Sequence, residues 1–558
     1  MEFVKKEYKN LLVILVVFIV TAIFFQNKTF NLYIDFGREA FFPKSVLDGE
    51  VLYKDIFNIF GPFSYLFNAF MYKIFGVKLS TLYLAGCLNA LSIVFALYYI
   101  ARNFFARKLS LLLSLFVVEY CFFTTTLMNY ITPYSYAIVY GLNFFLISIC
   151  LYLAFLNGRK EKIQYLYGTF FFAGLAFANK YEFFLYFILL AFVLFKHKIN
   201  LKHSIALVLS ALLPVCVMFL VLIKQGLRVD DFLNYLHFFR SYVASPALKD
   251  FYEGSLYFSP SLTGSALMAF VAEIIVIGII FFSIKFLQGK EKKLRNCILG
   301  LLGIAISFVL IKYWIFFDYY FFSYLTLLVF VLYMIKVNLI YKDSKRFFVL
   351  TAVVITSFKV FWFLYSTNGY GQYFLPMLII ASLLLLQDFY VSHDFDKYLF
   401  KKTFSYLFFV MLLVASFSNL SALSFNTPVC TPKGTILMQE NDAKIWKPLL
   451  EWLEQNTKKE DKIVVLPETT LINFLLDRKS DNNFNVMKPE GIDTYGEPYI
   501  IEHFAQNPPD YFVIMGLKTD ENLFSVKYAK ELARWIAQNY EGVLKLDSTY
   551  VVRVYKKK

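Results

Sequence analysis

Charge is scarce in this chain. Asp, Glu, Lys and Arg make up 17% of its 558 residues, against about a quarter in an ordinary soluble protein. With 59% of the chain hydrophobic, a water-facing surface cannot be assembled along its whole length, which excludes a soluble globular protein. Cysteine is sparse too. Cys87, Cys121, Cys150, Cys216 and Cys297 fall in apolar stretches and Cys430 stands alone beyond them, so no disulfide framework, CxxC pair or thiolate metal site can be built. The five histidines, His197, His203, His237, His393 and His503, lack metal-ligand spacing. No glycine-rich phosphate loop follows a strand, and there is no zinc-protease motif or serine-nucleophile elbow. A nucleotide-consuming site of a familiar kind is therefore not expected. The net charge of +15 sits largely in short basic runs between apolar stretches, as cytoplasmic anchors do, and does not point to nucleic acid.

What is abundant is apolar and aromatic, with 67 Phe and 41 Tyr. A helix needs roughly 20 apolar residues to cross the hydrocarbon layer. Candidate runs lie at 11–26, 82–101, 109–127, 134–156, 163–179, 182–195, 204–223, 263–285, 297–314, 319–337, 347–365, 371–388 and 404–421. The expectation is a multi-spanning α-helical membrane protein with about thirteen transmembrane helices. The first run resembles a signal-peptide core, but no small-residue cleavage site follows, so it is read as a retained helix.

Lys and Arg in short links stay on the cytoplasmic side. Lys5, Lys6 and Lys9, then Arg102, Arg107 and Lys108, Arg159, Lys160 and Lys162, and Lys196, Lys198 and Lys202 mark that side, as do later basic links through Lys397, Lys401 and Lys402. The opposite links at 128–133 and 366–372 contain neither Lys nor Arg. This alternation predicts a cytoplasmic N-terminus and an external C-terminus.

Residues 1–423 are thus expected to form the membrane domain, with outer loops at about 27–78 and 224–262. Residues 424–558 are expected to form an extracytoplasmic α/β domain, entered through a linker up to Gly434. In that tail the spacing predicts helices over 443–455, 470–476, 500–506 and 528–538, and strands over 462–466, 511–515 and 550–555.

The densest polar cluster falls in the first outer loop: Asp35, Gly37, Arg38 and Glu39, then Asp48, Glu50 and Asp55. If a helix begins after Gly37, Asp35 and Glu39 fall near one face with Arg38 beside them. Such a carboxylate can take a proton from an acceptor hydroxyl or coordinate a divalent cation, and the arginine can grip phosphate or orient the carboxylate. Spacing does not choose among these. Lys180 ends an apolar helix at the expected outer surface, where a lysine either snorkels to headgroups or holds a lipid phosphate. Asn129, Tyr130 and Tyr134 border another outer turn. Asp318 and the stretch from Asn368 through Gln372 and Tyr373 mark two more.

The segments Asp35-Phe-Gly-Arg-Glu39, Leu47-Asp-Gly-Glu50, Leu52-Tyr-Lys-Asp55 and Gly61-Pro-Phe-Ser-Tyr65 together resemble the first outer loop of bacterial GT-C membrane glycosyltransferases. The closest in kind are the protein-mannosyltransferase-like and aminoarabinose-transferase-like groups. Gly174-Leu-Ala-Phe-Ala-Asn-Lys180 and Gln372-Tyr-Phe-Leu-Pro376 resemble two further segments of that superfamily.

The resemblance implies an enzyme that transfers a sugar, with inversion, from a polyprenyl-phosphate carrier such as undecaprenyl phosphate. The acceptor would be a lipid, glycan or protein at the outer face of the cytoplasmic membrane. It implies Asp35 as the catalytic or metal-coordinating carboxylate, Glu39 as its companion, and Arg38, Lys180, Tyr373, Gln372 and Asn129 as contacts of the donor phosphate or substrate. Asn129 stands where the family often has a second acidic residue. Two other classes compete: a lipid-linked glycan polymerase or ligase, which would need an oligosaccharide donor, and a lipid-linked glycan transporter. Internal repeats would favour the transporter, and none is visible.

Overall fold

The computed structural model describes residues 2–30, 35–158, 163–255, 260–287, 290–291, 293–294, 297–301, 304–305, 323–362, 370–392, 397–468, 470–484, 487–517, 524–547 and 550–558. Among the described residues, seven helices are long and apolar enough to cross a membrane: Phe3–Phe25, Leu79–Arg102, Tyr136–Leu156, Leu201–Gln225, Thr263–Leu287, Tyr324–Tyr341 and Leu399–Ser424. Against the expected count of about thirteen, the described residues hold seven.

The other runs are helical but short or broken. The run at 109–127 is the helix Arg107–Val117, which passes into a π turn at Val118–Phe122 and then into irregular chain. The run at 163–179 is the 14-residue helix Gln164–Phe177, and the run at 182–195 opens as a 3-10 turn, Tyr181–Leu185, before the helix Tyr186–Lys196. The run at 347–365 breaks at Ser357, between Ser344–Thr356 and Phe358–Trp362. The run at 371–388 yields the shorter helix Leu375–Val391. Most of 297–314, with Asp318 and Asn368, lies outside the described residues. Lipid and protein interior both demand apolar side chains, so hydropathy counts a buried, interrupted helix as a crossing. Leu113, Phe116 and Val117, for example, are buried by neighbouring helices.

The first helix is tied down by Glu7. Glu7 is buried and accepts from Arg102 at 3.1 Å, Arg107 at 2.9 Å and the Tyr98 hydroxyl at 2.7 Å. A buried carboxylate persists only when its lone pairs are matched in this way. The basic segments before the first apolar run and after the second thereby meet at one end of the bundle.

At Thr427 the chain enters a β-sheet-containing domain. The segment expected as a linker is instead a hairpin, β1 (Thr427–Thr431) paired antiparallel with β2 (Gly434–Met438). Gly434 turns it at φ 133°, a conformation open to glycine. A second sheet holds β3 (Ile463–Leu466), β4 (Tyr511–Leu517), β5 (Tyr540–Asp547) and β6 (Tyr550–Lys557) in the order β3-β4-β6-β5. β3 and β4 are parallel; the other pairs are antiparallel.

Successive strand residues point to opposite faces, and here each face has its own core. Ile463 and Val465 join the core that continues into the membrane helices, while Val464 and Leu466 pack with Phe504, Phe512 and Ile536. The first face is covered by the helix Glu440–Asn456, whose Ala443, Trp446, Leu449, Leu450 and Leu453 recur at helical spacing. Trp446 has no exposed surface. Trp446→Ala is expected to destabilise this domain by about 3–5 kcal/mol, read as earlier proteolysis of residues beyond 424 across a denaturant series.

The two long loops and the C-terminal domain gather on one side. The first-loop helix Phe36–Leu47 packs on Leu471–Leu476 of the C-terminal domain. The ring of Tyr72 lies parallel to Phe474 with centroids 5.9 Å apart. In the second loop, the helices Val229–Val243 and Pro246–Ser255 pack against Pro489–Tyr495. Phe238 meets Tyr495 there at 4.9 Å, and the Ala247 amide donates to Asp493 at 3.1 Å.

Candidate active site

Asp35 occupies the cap position of the helix Phe36–Leu47, and this helix turns the first polar cluster into a site. Its carboxylate pairs with Arg38, one turn on, at 3.2 Å. Arg38 also donates to the Tyr134 carbonyl at 3.2 Å, and its Nε lies 3.4 Å from Glu39. Glu39 is completely buried and accepts from the Tyr65 hydroxyl and the Tyr136 amide, each at 2.7 Å. Glu39 is therefore anchored on every side, whereas Asp35 keeps more of its acceptor capacity. Burial pushes the Asp35 carboxyl above its ordinary range and neighbouring Glu468 adds to this, while Arg38 and Lys488 act in the opposite sense. A carboxylate held that way is the better base.

Lys180 comes to the same place from the turn after the helix Gln164–Phe177. Its ammonium donates to the Tyr134 hydroxyl at 2.8 Å and lies 3.8 Å from Glu182. It also sits 4.4 Å from the Tyr370 ring centroid and 5.2 Å from that of Phe60. The Arg38 guanidinium is 5.2 Å from the same Phe60 ring. Burial, only partly offset by Glu182, brings the Lys180 ammonium down to about 8. Glu182 is shared with Lys359 at 2.5 Å and bonds the Tyr370 hydroxyl.

Backbone contact fixes the meeting of Phe60 with Lys180. The Gly61 amide donates to the Asn179 carbonyl at 2.9 Å, and a Cβ at Gly61 would lie 2.1 Å from the Ala178 oxygen. Only glycine allows this approach.

The C-terminal domain closes the site from above. A Cβ at Gly37 would stand 2.4 Å from the Leu471 nitrogen, so the segment following β3 lies directly on the start of the Asp35 helix. That segment carries Glu468, which is buried and paired with Lys488 at 2.6 Å. Between this domain and the two loops lies a cavity of about 40 Å³ whose lining includes Arg38, Phe57, Asn58, Asn482, Thr494 and Tyr495.

The structure thus brings together Asp35, Arg38, Glu39 and Lys180. Tyr373 joins them through its ring, 5.9 Å from Tyr134. Asn129 and Gln372 are placed differently. The Asn129 amide is engaged by the backbone of Thr29, Thr126, Ile131 and Thr132, and Gln372 donates to the carbonyls of Tyr120 and Cys121. Sequence reasoning missed Lys359, Glu468 and Lys488. Lys359 had a signal, a lone lysine within an apolar run; the other two lie far along the chain in a tail whose docking no pattern discloses.

A divalent cation needs several converging oxygen ligands. Among the described residues no three His, Cys, Asp or Glu side chains are placed to hold one, and Asp35 is already paired with Arg38. Among the described residues this donor set does not by itself complete a cation site.

The family model described as dolichyl-phosphate-mannose-protein mannosyltransferase matches residues 61–223. That span holds the segments 61–65 and 174–180 that meet beside Lys180. ArnT from Cupriavidus metallidurans bound to undecaprenyl phosphate is similar over 99% of this chain and 98% of its own, at 12% identity and a TM-score of 0.45. The apo oligosaccharyltransferase of Archaeoglobus fulgidus is similar over 98% of this chain and 74% of its own, at 11% identity and a TM-score of 0.48. The same oligosaccharyltransferase in complex with Zn and sulfate is similar over 97% and 73%, at 12% and 0.43. No curated protein matches the chain.

Proposed function

We propose that this chain, carrying the protein-mannosyltransferase pattern over residues 61–223, is an inverting membrane glycosyltransferase. It moves a sugar from a polyprenyl-phosphate carrier to an acceptor at the outer face of the cytoplasmic membrane. The observation that carries the reading is the meeting of a largely buried carboxylate, Asp35, with Arg38, which shares the Phe60 ring with a second buried cation, Lys180.

In this reading the acceptor hydroxyl attacks the anomeric carbon, and its bond to that carbon forms as the bond to the carrier phosphate oxygen breaks. Asp35 takes the hydroxyl proton, and the polyprenyl phosphate leaves as an anion beside Lys180 and Arg38. Glu39 orients Arg38, and Tyr134 and Tyr373 wall the site. Asn129 serves the donor by holding the backbone of its own turn, and Gln372 by holding the backbone at Tyr120 and Cys121.

Two observations support a cytoplasmic N-terminus and an external C-terminal domain. Glu7 gathers Arg102 and Arg107 at one end of the bundle, and the two loops expected outside pack together with the C-terminal domain.

The test is sugar release from a panel of radiolabelled undecaprenyl-phosphate monosaccharides by the purified protein, with membrane extract as acceptor source. Transfer from one carrier supports the class; transfer only from oligosaccharide carriers moves the reading to a polymerase or ligase. Movement of carrier across vesicles without transfer moves it to a transporter.

Lys180 supplies a pH test. An ammonium near 8 is charged below that value and neutral above it. Donor use, measured as kcat/KM for the carrier, is expected to fall as pH rises through about 8. Lys180→Ala is expected to weaken donor use more than acceptor use and to remove that alkaline limb. Equal losses for both substrates, with the limb intact, would assign Lys180 a structural part only.

A further inference from the structure

We propose that Glu468 is an acceptor-binding residue delivered by the C-terminal domain, and that the group it binds is a neutral, hydroxyl-rich one, a sugar ring of a glycan. The inference rests on the transferase reading above and adds the class of its acceptor.

Glu468 stands just past the carboxyl end of β3, which is parallel to β4; open sheets hold ligands beyond the carboxyl ends of such strands. Two contacts fix the direction in which it is presented. Leu471, three residues on, lies against Gly37 at the head of the Asp35 helix. The Met487 amide donates to the Pro467 carbonyl at 2.7 Å, which brings Lys488 beside Glu468. The side chain is 6% exposed, and its Oε2 meets the Lys488 ammonium at 2.6 Å. Its Oε1 is buried without a hydrogen-bond donor among the described residues. A buried carboxylate oxygen left unmatched is costly, and such an atom in a native site calls for a missing partner. Lys488 holds one oxygen in place and leaves the other for a ligand.

The chemistry of that ligand follows from the surroundings. A carboxylate oxygen accepts only, so the ligand must donate. Asp35, Glu468 and Glu490 crowd this region against Arg38 and Lys488, which disfavours a carboxylate- or phosphate-bearing acceptor. The cavity beside Arg38 is walled by the rings of Phe57 and Tyr495, while its Asn58, Asn482 and Thr494 are bonded within the protein. Rings that can cover the apolar face of a sugar, beside a carboxylate oxygen that accepts from its hydroxyl, suit a neutral sugar. The cavity itself, at about 40 Å³, accommodates one hydroxyl group.

The experiment uses the full-length protein in detergent on an array of neutral hexose and hexosamine oligosaccharides beside their uronic-acid counterparts. Glu468→Gln keeps the shape and removes the charge; Glu468→Asp keeps the charge. Wild type is expected to bind neutral glycans over uronic ones, Glu468→Gln to bind them about tenfold to a hundredfold more weakly, and Glu468→Asp to recover part of the loss. In the transfer assay Glu468→Gln is expected to raise KM for the acceptor and leave KM for the carrier unchanged.

No neutral-glycan binding by wild type, equal binding of uronic glycans, or Glu468→Gln binding as wild type does would each overturn the proposal, as would parallel losses for carrier and acceptor. If glycan binding depends on Glu468 and yet no polyprenyl-linked sugar is ever transferred, the glycan site stands and the transferase reading falls.

Discussion

Asp35→Asn is expected to lower kcat by about 10²- to 10⁴-fold, the usual contribution of a positioned base, while the protein still folds and reaches the membrane. The substitution is isosteric, and the Asp35 side chain makes no capping hydrogen bond for asparagine to lose. Arg38 would keep Glu39 and the Tyr134 carbonyl as partners, so the helix Phe36–Leu47 stays in place. What disappears is the carboxylate of the Asp35–Arg38–Glu39 cluster with acceptor capacity to spare. The sign of the pH effect follows from burial. Asp35 holds its proton above the ordinary carboxylate range, so the acid limb of kcat/KM in wild type should also lie above that range, and below it the base is already protonated. Single-turnover transfer in detergent measures both quantities. Activity within tenfold of wild type in Asp35→Asn would remove Asp35 from the proton step.

A comparably large loss is expected from a residue with no side chain. Gly61→Val places its Cβ where only about 2.1 Å separates it from the Ala178 oxygen. The obstacle is backbone, so no rotamer change relieves it. The first loop must lift from the turn that carries Lys180, which takes Phe60 off the ammonium and loosens Arg38 over the same ring. Displacement of catalytic groups by about an ångström costs on the order of 10²-fold in rate, and that is the loss expected in transfer from the carrier. Gly254 provides the control, since a Cβ there meets nothing within 4 Å, and Gly254→Ala should behave as wild type. If Gly61→Val were fully active, the two segments would not need to touch for catalysis.

The C-terminal domain enters the same picture as more than an appendage. Its core is continuous with that of the membrane helices through Trp446 and Ile463, and it is pinned to the first loop by Lys44–Asp477 at 3.4 Å and by the Asn482 amide donating to Ser45 at 3.0 Å. Lys433 on the β1–β2 turn reaches Asp477 as well, at 3.1 Å. Charges and shape both hold the lid against the loop, and opening it would separate Glu468 and Lys488 from Asp35.

Much of this was legible in the linear chain. Scarce charge and long apolar runs sufficed for a helical membrane protein, because only helices and closed barrels satisfy the backbone in lipid. The helix, strand and turn order of the tail could be read because periods of 3.6 and 2 are local properties, and most of its elements appear within a few residues of expectation. Asp35, Arg38 and Glu39 announced themselves by adjacency, and Lys180 by standing at the end of an apolar helix.

Other features depended on contacts between distant segments. The number of crossings did, since an apolar residue at 116 or 353 looks the same whether lipid or another helix covers it. So did the division of labour between Asp35 and Glu39. Glu39 is saturated by Tyr65 and Tyr136, the latter 97 positions away, and nothing in its local sequence says so. Glu468 and Lys488 lie more than 400 residues from Asp35, and only the docking of Leu471 on Gly37 makes them neighbours. Local periodicity records which elements form; which polar groups share one buried volume is set by long-range packing, and the chemistry of this site belongs to the second kind of fact.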